Sequence, residues 1–198
     1  PGSIFKLAQA LIALEEEVIY PYTRITCNRS IIACHGPHYF EDLKGAIKNS
    51  CNPYFRETFR RIINQKADEN RYKDSEIGLD LWNKHIRSFG FGSALGIDIP
   101  NEKGGFIPAP EYYDKIYGDD RWKFSTIYSL AIGQGEISIV PIQMANLAAI
   151  LANRGYYYIP HFIKAIDGEQ SIPDKYKMKN YTSVDTSHFP LVVDAMEM

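Results

Sequence analysis

The sequence predicts a mainly α fold with one or two short β-hairpins, and three observations carry that expectation. Most of the chain divides into segments in which apolar residues recur every three or four positions, the spacing of one helical face. Gly- and Pro-containing stretches punctuate those segments. Tyr156 to Ile166, aromatic and β-branched, is the best strand candidate.

Taken in order, the first helix is expected from Ser3 to Glu17, with Ser3 as its N-cap and Pro21 as its stop. Ile4, Leu7, Ala8, Leu11, Ile12 and Leu14 cover more than one stripe of it, the pattern of a central helix buried on most sides. Residues 22–38 read as an irregular or hairpin segment. Helices follow from Phe40 to about Ser50 and from Pro53 to about Gln65, the second with Pro favourably placed in its first turn. The charged run Lys66–Lys73 is a solvated loop. A helix over Ser75–Phe89 places Ile77, Leu81, Trp82, His85, Ile86 and Phe89 on one side, and Gly90 sits where a left-handed C′ residue belongs. Residues 90–110 are loop chemistry. Pro141 opens another helix that Asn153-Arg-Gly155 closes, and Ser187–Met198 begins the last.

The 198 residues suffice for one domain with a core. With 22 basic and 24 acidic residues the net charge is −2. A near-neutral chain has no surplus of cations with which to release counterions, so nucleic acid is not an expected partner. No apolar run approaches the roughly 18 residues of a membrane-spanning helix, and Pro1-Gly2-Ser3 is no signal-peptide leader. The chain lacks an initiator Met and its last helical pattern runs to Met198 without a breaker, so a longer parent is expected. The odd cysteine count, Cys27, Cys34 and Cys51, rules out a closed disulfide framework. A Cys27–Cys34 bridge and free thiols both remain compatible with it.

Two motifs carry chemistry. Ser3-Ile4-Phe5-Lys6 places a hydroxyl and an amine on one helical face, about 5–6 Å apart. Lysine serves as a base for a serine nucleophile only when desolvation or a nearby cation destabilises its ammonium. The helix N-terminus favours charge developing on Ser3, whose own N–H supplies half of an oxyanion hole. With 12 Ser and 13 Lys in the chain, about one such pattern arises by chance, and an N-cap serine with a surface lysine is the plain alternative. Ser50-Cys51-Asn52 puts a hydroxyl and a carboxamide on an inter-helix loop, where such residues are also common as caps.

Together the motifs bring a family into view. Pro1-Gly2-Ser3-Ile4-Phe5-Lys6 resembles the active-site signature of class B penicillin-binding proteins, and Asn49 to Phe55 resembles their second motif in spacing and flanks. In the same order follow Gly90-Phe91-Gly92, then Gly96-Ile97-Asp98-Ile99-Pro100 with Glu102 and Gly105. Ile132-Gly133-Gln134-Gly135-Glu136 and Pro141 to Ala145 complete the series. Cys27, Cys34, His35 and the Ser-Cys-Asn triplet are most similar to the elongation-type branch called penicillin-binding protein 2.

The resemblance implies the helical subdomain of the serine D,D-peptidase/β-lactamase-like fold, with residues 1–198 a partial transpeptidase domain whose central sheet is largely missing. It implies Ser3 as nucleophile, Lys6 as base, and Ser50 and Asn52 as proton relay and substrate-binding group. The implied partners are the D-Ala-D-Ala stem peptide of peptidoglycan, β-lactam antibiotics and the cell-wall elongation machinery. The implied location is the outer face of the bacterial cytoplasmic membrane, with the anchor outside this chain. No metal or organic cofactor is needed. The family's third motif, Lys-Thr-Gly or Lys-Ser-Gly, is absent from the chain, so the polypeptide alone is expected to be inactive, with an uncovered apolar face that invites self-association.

The rival readings are a β-lactam sensor, a serine β-lactamase and a zinc-knotted helical module. Stable penicillin adducts exclude a lactamase, and cross-linked product excludes a sensor. Zinc ligation by Cys27, Cys34, His35 and His38 matches no tight knuckle, and the adjacent pair converges poorly.

Overall fold

Helix α1 (Lys6–Glu15) is the axis of the structure, a computed structural model that describes residues 1–36, 38–165 and 172–198. Ala8, Ala10, Leu11, Ile12 and Ala13 are fully buried, as expected for a helix apolar on most sides. Gln9 is buried among them with its amide satisfied: it accepts from Trp82 Nε1 at 2.7 Å and donates to the Leu130 carbonyl at 3.2 Å.

Both expected ends of this helix need correction. Ser3 lies within a 3-10 turn, Gly2–Phe5, that runs into α1 with Phe5 already at helical angles. No extended residue is present at which a serine side chain folds back as a cap, and neither segment has a side-chain cap. The helix stops at Glu15, well before Pro21, because Glu17 turns left-handed (φ 52°) and Val18 N–H closes on the Ala13 carbonyl.

The 22–38 segment is bracketed by a hairpin. Strands β1 (Ile25–Thr26) and β2 (Phe40–Glu41) pair antiparallel, Ile25 opposite Glu41 and Thr26 opposite Phe40. Phe40 is therefore strand, not helix. The helix α2 (Leu43–Lys48) waits for Asp42, whose carboxylate accepts the Gly45 N–H at 2.9 Å; the cap outweighs the apolar spacing upstream.

Helix α3 (Asn52–Ile63) opens with Pro53 in its first turn as expected and buries Tyr54, Phe55, Phe59, Ile62 and Ile63. Helix α4 (Arg71–Ser88) starts earlier than expected because Asn70 caps it, accepting from Tyr72 N–H. Its buried side holds Leu79, Trp82 and Ile86, whereas Ile77 is exposed. Gly90 is left-handed (φ 81°), as the sequence requires. Two helices were not anticipated: α5 (Pro110–Tyr117) and α6 (Phe124–Ile127). Pro110, which looks like the end of a loop, occupies the first turn of α5.

The 90–110 loop is held by side chains of the family-like stretches. The Glu102 carboxylate gathers the N–H groups of Leu95, Gly96 and Ile97, and Asp98 accepts from Phe162 and Ile163. From α7 (Pro141–Ala152), Gln143 Nε2 lies 2.8–3.0 Å from the carbonyls of Gly90, Ser93 and Gly104. The expected strand contracts to β3 (Tyr156–Tyr157), paired with β4 (Asn180–Tyr181) in a two-stranded ribbon. Its expected end, Ile166, lies outside the described residues. A 3-10 turn, Thr186–His188, leads into α8 (Phe189–Met196), which packs on α2 and α1.

The mainly α architecture with two short hairpin-like ribbons is thus as the sequence predicts.

Candidate active site

The site begins at the joint between α2 and α3. Ser50 follows the C-cap of α2 in a left-handed conformation, φ 49°. Cys51 N–H bonds the Ala46 carbonyl and Ser50 N–H bonds that of Ile47, the two closures of a Schellman motif. Glycine is the usual residue there, and a serine in that conformation is the kind of local strain that gathers at functional sites. The turn ends α2, lets Cys51 start α3, and directs both Ser50 oxygens at Lys6.

Lys6 is 2 % exposed and donates to three acceptors: Ser50 carbonyl at 2.7 Å, Ser50 Oγ at 2.9 Å and Asn52 Oδ1 at 2.5 Å. Burial lowers its pKa to about 8, against a weaker opposing influence of the Cys34 and Cys51 thiols. Desolvation, one of the two causes anticipated from sequence, is present. A second cation is not among the causes. At pH 7 this raises the neutral fraction by about 300-fold over an ordinary lysine.

Asn52 is held from behind. Its Nδ2 donates to the Ala33 carbonyl at 2.7 Å, which turns Oδ1 toward Lys6, and its backbone N–H lies 3.4 Å from Cys34 Sγ. The sequence offered no spacing signal for this role of residues 33–34.

Ser3 is exposed, one turn before Lys6, and its hydroxyl makes no hydrogen bond among the described residues. Its turn is fixed instead by backbone: Gly2 N–H donates to the Gly133 carbonyl at 2.9 Å. Gly133 is left-handed (φ 68°), and a Cβ there would meet the Gly2 carbonyl oxygen at 2.4 Å and Phe5 Cβ at 2.7 Å. Gly133 therefore packs its backbone directly against the turn that carries Ser3. Of the four sequence-selected residues, Lys6, Ser50 and Asn52 converge, and Ser3 lies one turn before Lys6 with no hydrogen bond to the other three.

A second constellation adjoins the first. One ligand atom each from Cys27, Cys34, His38 and Cys51 lies within 4.8 Å of the others. Three sulfurs and one imidazole form the donor set of a tetrahedral zinc site. The convergence objection raised from sequence concerned His35, which is exposed and outside the cluster; Cys51, from the Ser-Cys-Asn triplet, takes its place. The cysteines are free, so Cys27 and Cys34 are not bridged. Burial pushes the Cys51 thiol far above its usual range.

Lys6 is thus buried against the Ser-x-Asn turn on a helical scaffold. The model of the family described as the penicillin binding protein transpeptidase domain matches residues 1–198, and the chain belongs to that family. The peptidoglycan D,D-transpeptidase MrdA of Acinetobacter baumannii is 30% identical over 178 residues, covering 85% of this chain and 24% of that protein. Stage V sporulation protein D of Bacillus subtilis is 27% identical, covering 83% of this chain and 23% of that protein. The structure of Pseudomonas aeruginosa PBP2 in complex with WCK 5153 superposes with a TM-score of 0.78 at 25% identity, covering 99% of this chain and 43% of that one. The chain therefore spans about a quarter of the length of these curated relatives. Transpeptidases among the relatives favour that reading over a sensor or a lactamase.

Proposed function

We propose that this chain supplies the nucleophile-bearing part of a peptidoglycan D,D-transpeptidase. The observation that carries the reading is Lys6, buried and held between Ser50 and Asn52 one turn after Ser3. In the resting arrangement the three donors of the ammonium face three acceptors. Loss of one proton leaves two N–H bonds and a lone pair, which accepts the Ser3 hydroxyl proton. Ser3 Oγ then attacks the carbonyl between the two D-Ala residues of a stem peptide. The proton passes by way of Ser50 Oγ to the departing D-Ala amine, leaving an ester on Ser3. The amine of a second stem peptide displaces Ser3 and forms the cross-link. A β-lactam gives an analogous ester when its ring amide C–N bond breaks, and the amine stays tethered to the acyl group rather than departing.

The relatives' names support the substrate class, and the elongation branch supports a place on the outer face of the cytoplasmic membrane with the wall-elongation machinery as partner. Among the described residues, no helix is long and apolar enough to cross a membrane. The 198 residues contain no Lys-Thr-Gly or Lys-Ser-Gly triplet. Without that triplet's cation and oxyanion N–H, the chain by itself is expected to leave penicillin unreacted and to self-associate.

The test is labelling with fluorescent penicillin. The full-length parent is expected to give a stable adduct that Ser3→Ala abolishes; an adduct surviving that substitution removes Ser3 from the mechanism. The isolated chain is expected to stay unlabelled by intact mass, and stoichiometric labelling within minutes would overturn its inactivity.

A further inference from the structure

Away from Lys6, a cavity of about 340 Å³ opens between α3 and β1. Its helical wall is one face of α3, where Arg56 and Glu57 lie three and four residues after Pro53 and Arg61 lies four after Glu57. Across it stand Arg24 and Asn28, flanking β1. Three arginines therefore line the cavity with one glutamate.

That carboxylate is already taken. Glu57 accepts from Arg60 at 2.6 and 2.7 Å and from Arg61 at 3.2 Å, and Arg61 spends another N–H on the Val18 carbonyl. Arg24 and Arg56 have no acceptor among the described residues. Arg56 is nevertheless fixed in place. Its guanidinium carbon lies 5.1 Å from the Phe124 ring centroid and 5.5 Å from that of Tyr128, stacked by cation–π contact. Its Nε is buried with no partner among the described residues. Buried donors in folded proteins are nearly always paired, so the unpaired Nε marks Arg56 as a cation whose hydrogen-bonding capacity the fold has left unfilled.

We infer that this cavity is an oxyanion-binding site for a carboxylate or phosphate group, with Arg56 and Arg24 as its principal donors. The planar guanidinium fork matches either group with two parallel bonds. The cavity lies at the small end of ligand-pocket volumes, so it takes the terminal group of a larger molecule. None of its lining residues belongs to the Lys6–Ser50–Asn52 cluster, and the inference does not rest on the proposed reaction.

The test follows the arginine Nε–Hε signals by NMR as inorganic phosphate, or separately N-acetylglutamate, is added to the isotope-labelled chain, with chloride at matched ionic strength as control. The expected result is a saturable millimolar response of the Arg56 signal that chloride does not reproduce. Arg24→Gln, at an exposed position outside the core, is expected to weaken binding at least about threefold. Arg56→Lys, which keeps charge but loses the fork, is expected to weaken it further. A response to phosphate alone assigns a phosphoryl ligand, and a response to both assigns a general oxyanion site. A response to N-acetylglutamate alone assigns a carboxylate. A response equal to that of chloride, no saturable response, or binding unchanged in Arg24→Gln and Arg56→Lys would overturn the site.

Discussion

The Lys6 ammonium lies 2.9 Å from the Ser50 hydroxyl, joining residues 44 positions apart. That contact joins two short motifs, each unremarkable alone, in one buried hydrogen-bonded cluster. It also explains why Ser50 occupies a left-handed turn, since the same conformation places its carbonyl oxygen 2.7 Å from the amine.

Replacing Lys6 by arginine tests whether the group acts as a base. Guanidinium does not deprotonate in proteins and is too broad for three acceptors spaced for an ammonium. In the full-length protein, Lys6→Arg is expected to lose penicillin acylation nearly as completely as Lys6→Ala, by about 10²-fold or more. Near-normal acylation rates for Lys6→Arg would show that only a positive charge is needed.

The pH dependence has a definite sign. Burial sets the Lys6 pKa at about 8, below its value of 10.5 in an unfolded chain. In the full-length protein the acylation rate is expected to climb about tenfold per pH unit until the neutral amine predominates, at or somewhat below pH 8, and to level off above it. Stability follows the same group. The unfolded chain binds more protons between pH 8 and 10.5, so the Lys6 contribution to stability rises with pH across that window and is least favourable below it. A stopped-flow rate profile with no inflection between pH 7 and 9, in otherwise folded protein, would refute the assignment.

Gly133→Ala is expected to be costly at a position far from Ser3 in sequence. The added methyl meets Gly2 backbone and Phe5, and φ 68° is unfavourable for alanine. We expect a loss of about 2–4 kcal/mol and a Tm lower by several degrees in calorimetry. Gly96→Ala is a useful comparison, being left-handed too but with open space around the new Cβ, and its cost should be about 1 kcal/mol. Equal losses at the two positions would mean that contact with the Ser3 turn adds nothing.

The thiol–imidazole cluster predicts metal-linked stability. Zinc added to the reduced, metal-free chain is expected to bind one ion and raise Tm, since the ion joins Cys27 just after β1, Cys34, His38 and Cys51 at the N-cap of α3. His38→Ala should weaken binding while His35→Ala leaves it unchanged, measured by competition with a chromogenic chelator. Equal effects of the two substitutions, or none, would exclude the cluster as a metal site.

Much was legible along the chain because it depended on near neighbours. Pro53 in a first turn, Gly90 as a left-handed stop and the apolar wrap of α1 are local consequences of residue type, and the structure retains each. Errors fell where two local signals competed. Asp42 and Asn70 set helix starts that apolar spacing had placed elsewhere, and a left-handed Glu17 ended α1 before Pro21 could.

The proposed chemical groups, Ser3, Lys6, Ser50 and Asn52, were selected from sequence alone, because the spacing of two motifs and the order of the later stretches single them out. Their working environment was decided only by the tertiary structure. Burial that lowers the Lys6 pKa, the Ala33 carbonyl that orients Asn52, and the meeting of Cys51 with Cys27, Cys34 and His38 all join segments distant in the chain. Desolvation and hydrogen-bond direction depend on which surfaces exclude water together, and no local pattern of residues encodes that.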